Sequence, residues 1–189
     1  FFVPRALIAV GLLVDKDDWV DTARLNDRVQ QLSKLFKHEF IFRTDATFDE
    51  IFADTVRGMS EDGEIEVRNG EVQASEGIKR QRLIRYSTML QTFFESYLLA
   101  LRGAEIVLDG PIPKKDWYKR TLALGQQMYL AGEIERRESL SKLKLETALK
   151  ALEDYRLVQF NDDVLERGDG VENVSDLHEL EPKLTSFLR

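Results

Sequence analysis

The chain of 189 residues has no cysteine, two histidines and four prolines. Without cysteine there is no disulfide, no thiolate metal ligand and no cysteine nucleophile. His38 and His178 each lack a second histidine with which to share a metal, which argues against a zinc site. His38 follows a lysine at a helix end, where a cation complements the helix dipole, so a structural role is its first reading. Gly-x-Ser-x-Gly, Gly-x-x-x-x-Gly-Lys and Gly-x-Gly-x-x-Gly are all missing, so no nucleophile elbow, phosphate loop or dinucleotide fingerprint is written here. The longest apolar run, Ala6 to Val14, has nine residues, against the roughly 20 that span a bilayer. No cleavable signal pattern is present. The chain opens Phe1-Phe2-Val3-Pro4 without an initiator Met, which reads as a processed or excised piece. No self-sufficient active site is visible, and no cofactor is called for.

What is present suits a folded, soluble core: 43% hydrophobic and 32% charged residues. The net charge of −7 is unevenly spread. Residues 1–76 hold 16 acidic and 9 basic side chains, residues 79–144 hold 7 and 13, and the tail from 145 is acidic again. A basic stretch between acidic ones points toward an anionic contact in the middle of the chain.

The pattern along the chain is mainly helical. Pro4 suits a first helical turn, and the apolar run behind it would be buried on most sides. Asp15 to Asp18 is a polar break. Leu25, Val29, Leu32 and Phe36 form one stripe of a second helix. Thr47-Phe48-Asp49-Glu50 is a capping box opening a third helix, with Phe48, Ile51, Phe52, Val56 and Met59 on one face and Gly63 at its end. Asn69-Gly70 tolerates the positive φ angles of a type I′ turn, which would pair Val67 with Val72, Ile65 with Ala74 and Arg68 with Glu71. Three helices and a hairpin at about 64–74 make a winged-helix-like unit.

A long helix is expected from about Arg80 to Leu101, with Leu83, Tyr86, Leu90, Phe93, Tyr97 and Leu101 as its stripe. Gly110-Pro111-Ile112-Pro113 reads as a rigid turn. Helices follow at about 114–131 and 141–155, then a short strand near 156–160. Asp162 to Val174 reads as a polar loop. Leu177, Leu180, Leu184 and Leu188 suggest a last helix capped by Ser175, with Pro182 near its first turns. The order helix, helix, helix, strand therefore recurs. The expected fold is mainly α, with winged-helix-like units over 1–76 and 77–189 that together form one domain.

A helix followed by a wing is how many DNA readers are built, so charge must decide. The third helix carries Asp49, Glu50, Asp54, Glu61 and Asp62 against Arg57, a surface that phosphate repels. Its counterpart in the second half has Lys142, Lys144 and Lys150 offset by Glu146, Glu153 and Asp154. Nucleic acid is therefore not the expected partner. The candidate site residues are basic clusters: Lys79, Arg80, Arg82 and Arg85 opening the long helix, then Lys114, Lys115, Lys119 and Arg120, then Arg136 and Arg137. The bland reading is a solvated helix face. The sharper one is docking to anionic lipid headgroups or to an acidic partner domain. Cations near a helix N-terminus oppose its dipole, which favours a purpose other than helix stability for residues 79–85. Phe93, Phe94, Tyr97, Leu98, Leu99 and Leu101 leave that helix apolar nearly all round, so something must cover it: core, interface or an acyl-chain pocket.

Several stretches taken together, in this order, resemble a known family: "FFVPRALIAVGLL", "LFKHEFIFRTDATFDEIFADTVRGMSEDGEI", "MLQTFFESYLLAL" and "GPIPKKDWYKRTLALGQQMYLAGEIERRESLSKLKLETALKALEDYRLV". From Phe1 to about Phe160 the chain is similar to the C-terminal region of glycerol-3-phosphate acyltransferases of the bacterial membrane-bound and mitochondrial type. The resemblance implies an enzyme that moves a fatty acyl group from acyl-CoA or acyl carrier protein to the sn-1 hydroxyl of glycerol 3-phosphate, in phospholipid synthesis. It implies a membrane-associated place at the cytoplasmic face, the inner membrane if bacterial. In that family a His-x4-Asp motif carries the chemistry, the histidine as general base. Five residues after His38 stands Arg43, and five after His178 stands Lys183. The motif has no counterpart in these residues and is expected in an N-terminal acyltransferase domain before Phe1. The hairpin would then be scaffolding, and the chain alone would be inactive. The alternatives are a freestanding winged-helix nucleic-acid-binding protein and a protein–protein interaction module with no enzyme attached.

Overall fold

Caps, turns and prolines punctuate this chain where its elements begin and end. The computed structural model describes residues 2–14, 19–40, 45–178 and 181–187, with backbone alone at His178 and Lys183. Asp15 to Asp18, Arg43, Leu180 and Leu188, all singled out from the sequence, lie outside the described residues. The fold is mainly α with two three-stranded antiparallel sheets. It divides into two compact units, Phe1–Leu90 and Gln91–Arg189.

In the first unit, α1 (Val3–Leu13) has Pro4 in its first turn and buries Ala6 through Val10 and Leu12. Strand β1 (Val20–Asp21) leads into α2 (Thr22–Leu35), whose N-cap Asp21 accepts hydrogen bonds from the backbone N–H groups of Ala23 and Arg24. The stripe Leu25, Val29, Leu32 and Phe36 is buried as expected. The capping box opening α3 (Phe48–Glu61) closes in both directions. The Thr47 N–H donates to the Glu50 carboxylate at 2.8 Å, and the Glu50 N–H donates to the Thr47 hydroxyl at 3.3 Å. Those bonds, the Thr47 N–H first, hold the Glu50 pKa below its ordinary value.

Gly63, at φ +66°, ends α3 in the two-bond left-handed motif: its N–H reaches Ser60 O, and the Glu64 N–H reaches Met59 O. Strands β2 (Ile65–Arg68) and β3 (Glu71–Ala74) then pair in the register expected, Ile65 with Ala74, Val67 with Val72 and Arg68 with Glu71. Asn69 and Gly70 both take positive φ. β1 adds to the other side of β3, Val20 opposite Val72. Two residues are too few to show alternation, so this third strand leaves no pattern in the sequence.

Helix α4 (Ile78–Ala104) begins in the first unit and ends in the second. It is longer at both ends than the span expected. Leu83, Leu90, Tyr97 and Leu101 are buried, and every residue from Phe94 to Leu101 is covered. A 3-10 turn (Glu105–Asp109) leads to β4 (Ile112–Pro113), so the expected Gly110–Pro113 turn is half strand. Pro113 is tolerated because β4 is an edge strand and a proline there forfeits no ladder bond.

Helices α5 (Lys114–Leu130) and α6 (Lys142–Asp154) fall where expected. The strand placed near 156–160 is β5 (Val158–Asn161), displaced because Tyr155 to Leu157 close α6. The polar loop expected at 162–174 is corrected. It contains β6 (Val164–Arg167), which pairs with β5 across a turn in which Asp162 has φ +53°. Its four residues carry one buried side chain, Leu165, too faint a signal among acidic neighbours. The single last helix is also corrected to α7 (Val174–His178) and α8 (Glu181–Ser186). Ser175 is not a cap: Asn173 Oδ1 accepts its N–H at 2.8 Å, and Asp176 Oδ2 accepts from Glu172 and Asn173.

The recurrence glimpsed in the sequence is real and extends to register. Each unit runs helix, strand, helix, helix, hairpin, and each sheet places its first strand beside the last: β1-β3-β2 and β4-β6-β5. Val20 opposite Val72 matches Ile112 opposite Leu165. The Thr22 N–H donates to Gly70 O at 2.9 Å, and the Lys114 N–H to Asp163 O at 2.7 Å. Ser75 N–H to Glu64 O matches Gly168 N–H to Leu157 O, both at 3.1 Å.

Candidate functional site

Among the described residues each unit buries one glutamate, and the two are held by different means. Glu64, 1% exposed, sits where α3 hands over to the hairpin. It accepts from Arg5 Nη1 at 2.9 Å and from the Tyr86 hydroxyl at 2.8 Å. Arg5 also donates to Asp62 at 2.7 Å. Burial works to lower the Arg5 pKa, but the hydrogen bond to Asp62 and the charge of Glu64 raise it above its ordinary value. Burial, then the bond to Glu64, raises that of Tyr86.

In the second unit Glu95, also 1% exposed, has no cation within ion-pair distance among the described residues. It accepts instead from the backbone N–H groups of Glu135 (3.1 Å) and Arg136 (3.0 Å), the Ser139 hydroxyl (2.6 Å) and Gln91 Nε2 (3.0 Å). Neither glutamate stood out in the sequence. A lone acidic residue at a helix end or in an aromatic helix carries no pattern.

The basic residues opening α4 divide between structure and surface. Lys79 Nζ donates to Asp62 O at 2.5 Å, and Arg82 Nη1 lies 3.7 Å from Glu64, so both help close the end of α3. Arg80 is half-buried and has partners of its own. Arg82 and Arg85 are exposed, as are the apolar Ile78 (84%), Ile84 (39%) and Met89 (55%) on the same stretch. That combination is cationic and apolar together. Among the described residues no helix is long and apolar enough to cross a membrane, α4 included.

In the second unit, Lys114, Lys115, Lys119 and Arg120 lie on the first two turns of α5. Arg136 and Arg137 are exposed in the loop that Glu95 holds, Arg136 Nε reaching Gln91 Oε1 at 3.3 Å.

Equivalent clefts lie in the two units between the second helix, the third helix and the hairpin. In the first, an open cleft of about 760 Å³ is lined by Thr22, Ala23, Asn26, Asp49 and Phe52 among others. Its lining is apolar with acidic edges, and Asn26 Nδ2 donates to Asp49 at 3.2 Å. The exposed face of α3 carries Asp49, Glu50, Asp54 and Glu61, and Arg57 is paired with Asp54 at 2.8 Å. In the second, a cleft of about 450 Å³ is lined by Pro113, Lys114, Lys115, Tyr118, Lys142, Glu146 and Asp163. Lys114 and Lys115 were singled out from the sequence; Tyr118 and Lys142 were not brought to this site, although both fall on the first turns of helices. A second cleft in the first unit, about 330 Å³, is walled by Leu7, Ile8, Val29, Ile51 and Phe52, with Lys34 and Lys37 among its lining.

These features define a mainly α class of protein with two units, each a helix bundle closed by a small antiparallel sheet. Residues 1–161 match the family described as the glycerol-3-phosphate acyltransferase C-terminal region, and the chain belongs to that family. The match supports a role as part of a glycerol-3-phosphate acyltransferase.

Proposed function

We propose that this chain is the helical C-terminal domain of an enzyme that transfers a fatty acyl group from acyl-CoA or acyl carrier protein to the sn-1 hydroxyl of glycerol 3-phosphate. Its two winged-helix-like units serve as scaffold. The general base and its aspartate belong to an N-terminal acyltransferase domain of the same protein, and the chain alone turns over nothing. The observation that carries this reading is the family match across residues 1–161.

The domain's task is to dock, holding the enzyme at the cytoplasmic face of the membrane. Supporting this, the exposed start of α4 joins Arg82 and Arg85 to Ile78 and Met89, cations beside apolar tips. Anionic headgroups attract such cations by about 1 kcal/mol each. The acidic surface of α3 speaks against nucleic acid as partner. Arg82→Glu with Arg85→Glu in the full-length enzyme should lower partitioning onto anionic vesicles more than about tenfold. Unchanged partitioning and unchanged activity would remove the docking role.

A further inference from the structure

We propose that the cleft between the N-terminal turns of α5 and α6 binds a phosphomonoester group. This stands apart from docking through α4. Three lysines line the cleft, Lys114, Lys115 and Lys142, and none enters an ion pair among the described residues. Two of their ammonium groups rest on aromatic rings instead, Lys114 Nζ 4.3 Å from the Phe160 centroid and Lys142 Nζ 5.1 Å from that of Tyr118. Such contacts hold a cation in place without neutralising it.

Helices α5 and α6 both begin without a side-chain cap, at Pro113 and Ser141. The Lys114 N–H is taken by Asp163 O, but the other amides of the two first turns keep the partial positive charge of a helix N-terminus. Tyr118 is the independent sign of a ligand. It is 7% exposed, lines the cleft, and its hydroxyl makes no hydrogen bond among the described residues. Burial, then the charge of Glu146, raises the pKa of that hydroxyl above its ordinary value, and as a protonated phenol it can donate.

Two carboxylates, Glu146 and Asp163, also line the cleft and leave an excess of one positive charge before the helix ends are counted. A dianion with three acceptor oxygens fits three ammonium donors and a hydroxyl better than a carboxylate does. The equivalent cleft of the first unit makes the contrast. There Thr22 and Ala23 stand where Lys114 and Lys115 do, and Asn26 is bonded to Asp49.

The test is calorimetric titration of the chain with inorganic phosphate and with glycerol 3-phosphate as soluble probes, and with vesicles of phosphatidylcholine alone or with added phosphatidate. Saturable binding of the soluble phosphates is expected, weakened about tenfold by Lys142→Gln and by Lys115→Gln. Tyr118→Phe, which keeps the ring under Lys142, should weaken it severalfold. If phosphatidate vesicles alone bind, and lose binding in the same three variants, the phosphomonoester is a lipid headgroup. No binding of any phosphate probe, or binding that all three variants leave unchanged, would overturn the proposal. Because Arg82 and Arg85 are untouched, loss of α4 docking leaves this result unaffected.

Discussion

Asp49 and Lys142 stand at the same place in two units built alike, each twelve residues before the last residue of its helix. Around them the backbone repeats down to individual bonds, from the strand register to the amide of Thr22 or Lys114 reaching the hairpin turn. What does not repeat is charge. One cleft is apolar with acidic edges and holds an internal Asn26–Asp49 bond; the other gathers lysines around Tyr118. The shared design constrains the hairpin, the edge strand and the helix ends, and leaves the cleft side chains free to differ. The buried carboxylates show the same freedom. Glu64 is held by a cation and a phenol, Glu95 by backbone amides and a serine.

The sharpest way to break the parallel is at Ser75 and Gly168, which make the same backbone bond. A Cβ on Gly168 would lie 2.0 Å from Arg156 O, a backbone atom that cannot swing aside. Gly168→Ala should cost about 3 kcal/mol in urea unfolding, whereas Ser75→Ala should stay within about 0.5 kcal/mol.

Next come the two glutamates. Glu95→Gln turns an amide N–H₂ toward donors that need an acceptor and should cost about 3 kcal/mol. Glu64→Gln should cost less, about 2 kcal/mol, because Arg5 keeps Asp62. Equal losses in denaturation would show that the kind of partner does not matter.

The helix ends offer a smaller contrast. Arg156, at φ +58°, occupies the left-handed position that Gly63 fills after α3. Arg156→Gly should stabilise by roughly 1 kcal/mol and Gly63→Ala should destabilise by a similar amount.

The smallest effect concerns pH. Glu50 titrates below its ordinary 4.5 in the folded chain. Its contribution is therefore intact above that value and disappears as pH falls through the lower folded value. Helix α6, capped by no side chain, has no such dependence at its start. Thermal melts of Glu50→Gln should lose less stability than the parent between neutral and acid pH.

Much of the fold was legible because strong local rules agreed. The Thr47–Glu50 box, Asn69-Gly70 and the Leu25–Phe36 stripe each specify an element through local residues alone. The strands β1 and β4 were not legible. Two residues cannot show alternation, and they exist only because a hairpin edge waits for them. β6 was hidden for a related reason: Asp162-Asp163 lacks the glycine that announces a tight turn. At the candidate sites, clusters close in sequence were readable, Lys114 with Lys115 and Arg82 with Arg85. Lys142 joins Tyr118 only through the packing of α5 beside α6, which no linear spacing records. The sequence also could not show that Lys79 and Arg82 spend part of their charge closing α3.

The most direct measurement is an acyl-transfer assay with glycerol 3-phosphate and acyl-CoA, run on the 189-residue chain alone and on the full-length enzyme with and without it. No turnover by the chain alone is expected, with activity in the full-length enzyme that falls when the chain is removed. Turnover by the chain unaided would contradict the assignment of the reaction centre to another domain.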